Sequence, residues 1–170
     1  ITVFSAIHPA TFSSAARGRK PPFRQRRERR RLRTFEDFTE GLEIPLEPYT
    51  ADRDEMIAFA REFDPQPFHL DDAAGCATEL VGSLTASGGH TCSMLMKMMA
   101  EGFLLDSTSQ GSPGVDFVKW RAPVRPGDRL TGTARVLSRR LSAKRPTLGI
   151  AKIGVSLENQ EGVTVLESEY

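Results

Sequence analysis

At 170 residues, 39% of them hydrophobic, the chain can bury one sizeable core, and its length requires no second full domain. Every apolar run is interrupted by charge, Gly or Pro well short of the roughly 20 apolar residues that span a bilayer, which excludes a transmembrane helix. Two cysteines, Cys76 and Cys92, are too few for a disulfide framework, so we expect a reducing, cytoplasmic environment.

The formal net charge of +1 conceals two segments of opposite charge. Residues 1–33 hold ten Lys and Arg against the single acid Glu28, whereas residues 34–170 hold 13 basic and 21 acidic residues. Because the first segment has no periodic apolar stripe to bury, we predict that it is disordered and that one domain occupies residues 34–170.

Three explanations for the basic segment remain open: it could direct organellar import, bind an anionic surface or nucleic acid, or have no function. The body of the chain is acidic and lacks basic residues interleaved with aromatic ones. Nucleic acid is therefore not expected as a partner of the protein as a whole, and neither is a membrane.

In chain order, the first elements expected in the domain are an extended arm and a helix. Residues 41–49 alternate apolar and polar side chains in places, but two prolines restrict them to an edge strand or an arm. A helix follows, capped by Thr50 or Asp52. Glu55 stands three residues after Asp52, as in a capping box, and the apolar stripe of the helix extends to Phe63.

The next segment, FDPQPFHLDD, cannot remain helical. Pro65 and Pro67 each remove a backbone donor and push the preceding residue out of the α region, so the segment is predicted to be a stiff loop. This loop holds Asp64 and His69 five residues apart on a backbone with little freedom. A carboxylate and an imidazole held near each other are a candidate acid/base pair.

Residues 89–105 are apolar on nearly every face and predict a buried central helix. The apolar period then changes to two, which predicts strands over 114–120, 129–138 and 148–158 and a fourth beginning at Val163. A single apolar helix followed by an antiparallel meander hides its apolar faces best when the sheet curves around the helix. The predicted fold class is therefore α+β.

The start of the central helix offers a second chemical feature. At Ser87-Gly88-Gly89 the first helical amides have no intrahelical acceptor, and glycine lets a ligand approach the backbone closely. Hydration of a double bond conjugated to a carbonyl needs an activated water, a delivered proton and a dipole for the enolate oxygen. The loop and this helix start could together supply all three.

Three stretches carry a family resemblance. DPQPFHLD, from Asp64 to Asp71, resembles the Asp-x-Asn-Pro-x-His-x-Asp motif of MaoC-like dehydratases and (R)-specific enoyl-CoA hydratases. SGGHT, from Ser87 to Thr91, looks like the His-Gly-Met segment at the head of their hot-dog helix. Residues 114–130 are similar to the second-strand region and Pro-Gly-Asp turn of that family, so the likeness covers about residues 34–170.

The resemblance implies a hot-dog fold, with the curved antiparallel sheet wrapped around the central helix, and reversible syn hydration of trans-2-enoyl-CoA to (R)-3-hydroxyacyl-CoA. Carried over residue by residue, it makes Asp64 and His69 the pair that orders and activates water and makes the Gly88 amide the donor to the thioester carbonyl. It also implies a homodimer or larger assembly, no metal or redox cofactor, and coenzyme A as the carrier of the substrate.

The sequence departs from the family pattern at two positions: Gln66 replaces the usual Asn, and Ser87 stands where many hydratases have His. His90 is expected to be a core or pocket-wall residue, and Trp120 a packing residue. Two alternative functions remain open. A hot-dog thioesterase would direct water at the thioester carbon, and a non-catalytic subunit would bind acyl thioesters or take part in assembly without turnover.

Overall fold

The C-terminal third of the chain folds into an antiparallel meander, as its period of two predicts. The computed structural model describes Thr2–Ser5 and residues 31–170. Within these residues eight strands form one antiparallel sheet. They are β1 (Thr2–Ser5), β2 (Glu43–Pro45), β3 (Tyr49–Thr50), β4 (Ser109–Gly111), β5 (Phe117–Trp120), β6 (Arg129–Leu141), β7 (Leu148–Glu158) and β8 (Thr164–Glu169).

The two longest strands, β6 and β7, form the centre of the sheet. The other edge of β6 pairs with the short strands β2 and β3, which are the two parts of the predicted arm. The other edge of β7 pairs with β8 along one half and with β1 along the other half. Strand β5 then pairs with β8, and β4 pairs with β1, so the sheet extends outward beyond both.

In the described part of the chain, three α-helices accompany the sheet: α1 (Arg53–Phe63), α2 (Asp72–Cys76) and α3 (Gly88–Met99). Helix α3 continues as a π-helical turn over Ala100–Leu104, so the predicted helix over 89–105 is confirmed with a change of winding in its last turn. Its apolar side chains, including Leu95 and Phe103, join those of the central strands in one buried cluster. The predicted α+β arrangement, a sheet around one apolar helix, is therefore confirmed.

The start of α1 shows which predicted cap is used. The Asp52 carboxylate accepts hydrogen bonds from the backbone N–H groups of Asp54 and Glu55, both at 2.9 Å. Thr50 lies in β3 instead. The Glu55 side chain accepts a hydrogen bond from the Tyr49 hydroxyl. This bond connects the first turn of α1 to β3.

Strand β1 differs from the prediction of a disordered segment over residues 1–33. Thr2–Ser5 pairs with both β7 and β4, and Arg33 pairs with Ser107, so disorder is wrong for these residues. The physical reason is the packing of Phe4, which a search for periodic apolar stripes does not register. The Phe4 side chain is fully buried, and its ring stacks on Phe38 at 4.2 Å between centroids. The prediction for residues 6–30 lies outside the described residues.

Phe4 supplies a test of this strand. Replacing Phe4 by Ala is expected to lower the free energy of unfolding by about 3–5 kcal/mol, because the lost ring leaves a cavity beside Phe38. Val3→Ala is the matched control: Val3 is half-buried on the same strand and should cost less than half as much. Urea unfolding measures both values, and equal small effects would show that Thr2–Ser5 is not part of the folded core.

Among the described residues, no helix combines the length and the apolar character needed to cross a membrane.

Candidate active site

Asp64 and His69 are held by a short, rigid segment. Asp64 follows the last residue of α1, and its backbone N–H donates to the Ala60 carbonyl. Three residues on, Pro67 begins a single 3₁₀ turn that ends at His69. Proline suits the first position of such a turn because its missing N–H would have no partner there. The predicted stiff loop therefore places both side chains without any long flexible connection.

The His69 ring has a fixed orientation. Its Nδ1 lies 2.8 Å from the Thr85 carbonyl oxygen, and a carbonyl can only accept, so Nδ1 carries a proton. The other nitrogen, Nε2, lies 3.5 Å from Oδ2 of Asp64. The ring itself is buried, with 7% of His69 exposed. When the imidazole is neutral, the free electron pair on Nε2 therefore faces the Asp64 carboxylate.

The Asp64 carboxylate receives two further hydrogen bonds. The Ser87 hydroxyl donates to Oδ2 at 2.6 Å, and the Gln66 amide donates to Oδ1 at 2.8 Å. These donors, first Ser87 and then Gln66, lower the pKa of Asp64 below its ordinary value, with a smaller contribution from His69 and against a small opposing effect of burial. Asp64 is therefore ionised at neutral pH and can act as a base. Its side chain remains 29% exposed.

Gln66 explains how the first departure from the family motif is accommodated. The longer side chain turns back onto Asp64 and donates its Nε2–H directly to the carboxylate. The amide thus braces the acid/base pair from two residues away.

Ser87 connects the start of α3 to Asp64. The Ser87 hydroxyl oxygen accepts from the Gly89 backbone N–H at 3.2 Å and so caps the helix, while its own proton goes to Asp64. Gly88 is the first helical residue, where an amide has no intrahelical acceptor. A Cβ at this position would lie 2.9 Å from Cε2 of the Trp120 ring, so only glycine fits without moving the indole. The structure thus brings the loop and the predicted carbonyl donor together.

His90 stands apart from this arrangement. Its ring stacks on Phe59 at 4.8 Å, and its Nδ1 is buried without a hydrogen-bond partner among the described residues. Burial lowers the pKa of His90, with a weaker opposing effect of Glu55, so the ring is neutral at pH 7. The expected role of a core or pocket-wall residue fits this environment.

Two surface cavities lie elsewhere. One of about 220 Å³ is lined by Arg31, Arg33, Gly102, Phe103 and Asp106, and one of about 450 Å³ adjoins Val3 and β4. Neither includes Asp64 or His69. The candidate site is defined by its acid and base side chains, which neither cavity contains.

Sequence reasoning missed two contributors to this site. Ser87 was named in the helix start and as a departure from the family but was given no role of its own, although Ser before Gly-Gly is a typical helix cap. Its contact with Asp64 spans 23 residues of sequence and has no local signal. Trp120 was expected to pack, yet 56% of it is exposed and its indole N–H donates to the Gly88 carbonyl.

Removing the Ser87 hydroxyl should move the pH dependence of the site. In Ser87→Ala the carboxylate loses its shortest hydrogen bond, so the pKa of Asp64 rises toward its ordinary value and activity that needs the carboxylate is lost at a higher pH. The measurement is the acid limb of the kcat/KM profile. Ser93→Ala is the control, since that hydroxyl is exposed and bonds only to the Gly89 carbonyl. An unmoved limb in Ser87→Ala would contradict this account.

An antiparallel sheet around one central helix defines the hot-dog class of domain, and in this chain a carboxylate and an imidazole lie beside the start of that helix. The chain belongs to the MaoC-like domain family, whose model matches residues 19–158. A similar Bacillus subtilis (strain 168) protein, the uncharacterised YdeM, is 32% identical over 136 residues, which cover 79% of this chain and 94% of that one.

Solved structures show the same likeness. A MaoC-like dehydratase from Rhodospirillum rubrum is 33% identical, with a TM-score of 0.68, over 78% of this chain and 90% of its own. The (R)-hydratase from A. caviae involved in PHA biosynthesis is 23% identical, with a TM-score of 0.58, over 77% of this chain and 92% of its own. The second likeness concerns the fold alone, and both share the predicted hot-dog architecture.

Proposed function

We propose that this protein is an acyl-thioester hydratase/dehydratase that adds water reversibly to trans-2-enoyl-CoA to form (R)-3-hydroxyacyl-CoA. One observation carries the proposal: the Asp64 carboxylate, whose pKa is lowered, lies 3.5 Å from Nε2 of a histidine whose Nδ1–H is engaged elsewhere. In the neutral imidazole Nε2 is an acceptor, as the carboxylate is. The family and the 33% identical dehydratase from Rhodospirillum rubrum support the same reaction class.

Two facing acceptors suit a water molecule, which has two protons to donate. A water bound between Asp64 Oδ2 and His69 Nε2 would be oriented with its oxygen lone pairs turned away from the pair and toward the substrate. As the oxygen bonds to C3 of the enoyl group, the pair takes one proton from the water. That proton then goes to C2, so the atoms of one water are added across the double bond and the pair returns to its first state.

The same geometry explains why Asp64 does not have to supply a proton of its own. Its low pKa keeps it ionised, so the proton that reaches C2 is the one taken from water. In dehydration the sequence runs backward: the pair removes the proton from C2, and the leaving hydroxyl at C3 takes a proton from the pair. Delivery from one side of the double bond gives the syn stereochemistry that the family resemblance implies.

The Gly88 amide is proposed to donate to the thioester carbonyl. Negative charge develops on that oxygen as C3 is attacked, and a fixed N–H at a helix start stabilises it more than mobile water does. Ser87 holds the adjoining helix turn against Asp64, so the donor and the base keep one relative position. Neither a metal nor a redox cofactor has a step in this scheme, and their absence remains a prediction.

We also propose a homodimer or larger assembly in a cytoplasmic setting. Within the described residues, β5 pairs with β8 along one edge only, and the nearby Val115 and Trp120 leave large apolar surfaces exposed. Light scattering after size exclusion tests the assembly, with a mass of at least twice 18.8 kDa expected. A single species of 18.8 kDa at every concentration would contradict it.

Crotonyl-CoA tests the proposed reaction directly. The purified protein should remove the absorbance of the enoyl-thioester conjugation without releasing a free thiol, and chiral analysis of the product should find the (R) alcohol. Thiol release without loss of the double bond would identify a thioesterase instead. Saturable binding of crotonyl-CoA and of longer enoyl-CoA substrates, with no turnover, would identify a binding or assembly subunit.

A further inference from the structure

Trp120 is the only tryptophan in the chain and ends the edge strand β5, far in sequence from the acid/base pair. Its Nε1–H donates to the Gly88 carbonyl oxygen at 3.1 Å. The ring also fills the space that a Cβ at Gly88 would need, with three of its atoms within 3.1 Å of that position. Because 56% of Trp120 remains exposed, burial alone does not account for this orientation.

The Gly88 carbonyl belongs to the same peptide plane as the Gly89 N–H. That N–H donates to the Ser87 hydroxyl oxygen at 3.2 Å, and the Ser87 hydroxyl donates to Asp64 at 2.6 Å. Trp120 and Asp64 are thus the two ends of one continuous chain of hydrogen bonds in which every donor points toward Asp64. In such a chain each bond polarises the next, so a donor at one end strengthens the bond at the other.

We propose that Trp120 is a positioning residue for the proposed hydratase reaction: through the Gly88–Gly89 peptide and Ser87, its indole N–H holds and polarises the donor that orients the Asp64 carboxylate. The inference rests on the proposed function for its catalytic meaning, but the hydrogen-bond chain stands on the geometry. Trp120 itself touches neither Asp64 nor His69 in the described contacts. It acts by fixing the peptide that lies between β5 and the site.

The order of the hydrogen bonds predicts how the loss of the indole N–H changes the pKa of Asp64. Without the indole donor, the Gly88–Gly89 peptide keeps its place in the first turn of α3 but is less polarised, so Gly89 becomes a weaker donor to Ser87. Ser87 then stabilises the carboxylate less, so the pKa of Asp64 rises. The other titratable groups in contact are His69, which faces Asp64, and Cys92, which contacts the indole. Burial raises the pKa of Cys92, so this thiol stays neutral over the acid range.

Trp120→Phe separates the hydrogen bond from the packing, because it keeps an aromatic ring beside Gly88 and removes the N–H. We expect kcat for crotonyl-CoA to fall about five- to tenfold, the loss of roughly one hydrogen bond, while KM changes less than about twofold. The acid limb of kcat should move to higher pH. Tyr49→Phe is the matched control, since it also removes an aromatic donor, from Tyr49 to Glu55, and should leave all three values unchanged.

Carbon-detected NMR of the Asp64 carboxyl gives a second readout that does not need turnover. A raised pKa of Asp64 in Trp120→Phe supports the inference. If the wild type fails to hydrate crotonyl-CoA, the proposed function fails, but the same pKa shift still supports the positioning role of Trp120. An unchanged pKa overturns it. Wild-type kcat and an unmoved acid limb in Trp120→Phe, with loss only in Trp120→Ala, would also overturn it and leave Trp120 a packing residue.

Discussion

Asp64→Asn is expected to lower kcat/KM for crotonyl-CoA by about a thousandfold, within the range that a positioned acid or base contributes. Asn has nearly the same shape and can still accept from Ser87, but its amide cannot take a proton from water at neutral pH. The loss should fall mainly on kcat, because the group acts on the reacting atoms and not on the bulk of the substrate.

The fold should tolerate this change. Asp64 ends α1 through its backbone N–H, which donates to Ala60 and is unaffected by the side chain. We therefore expect the melting temperature to change by no more than a few degrees. Asp72→Asn is the matched control from the same stretch of chain: its carboxylate forms an exposed ion pair with Arg53, which stabilises proteins little. Asp64→Asn with wild-type turnover would remove Asp64 from the mechanism.

His69 has the second largest expected effect, and two substitutions separate its two nitrogens. In His69→Asn the side-chain amide can occupy the place of Nδ1 and keep the bond to the Thr85 carbonyl, but nothing replaces Nε2. We expect turnover to fall about a hundredfold or more, with the free energy of unfolding lowered by about 1 kcal/mol. Hydration assays with crotonyl-CoA measure turnover, and urea unfolding measures the free energy of unfolding.

His69→Ala removes both nitrogens and the ring. The Thr85 carbonyl then loses its donor in a buried environment, which should cost about 1–3 kcal/mol in addition to the cavity left by the ring. The two variants should be similarly inactive but differ in stability. If His69→Asn kept its activity while His69→Ala lost it, the ring would be a structural element of the loop and the proposed role of Nε2 would be wrong.

Much of the fold was predictable because its signals are local. The cap at Asp52, the proline loop and the change of apolar period from the central helix to the strands all lie within short windows of sequence. The strands over 148–158 and from Val163 were placed to within a residue. The proximity of Asp64 and His69 was predictable for the same reason, since both belong to one stiff segment.

Other features depended on contacts between distant residues. Strand β1 is held by Phe4 against Phe38, a contact between residues far apart in sequence that hydrophobic periodicity does not predict. The double role of Ser87 and the orientation of Trp120 toward Gly88 likewise join positions 23 and 32 residues apart.

The amino-acid sequence determined the kinds of element, their order and the residue types that can carry acid/base chemistry, because local backbone restriction and hydrophobic period suffice for these. Only the tertiary structure decided which nitrogen of His69 faces Asp64, how Gln66 and Ser87 lower the pKa of that carboxyl, and that Trp120 reaches the helix start. Hydrogen-bond direction and desolvation depend on distances of a few tenths of an ångström between groups brought together by packing, and no sequence pattern encodes such distances.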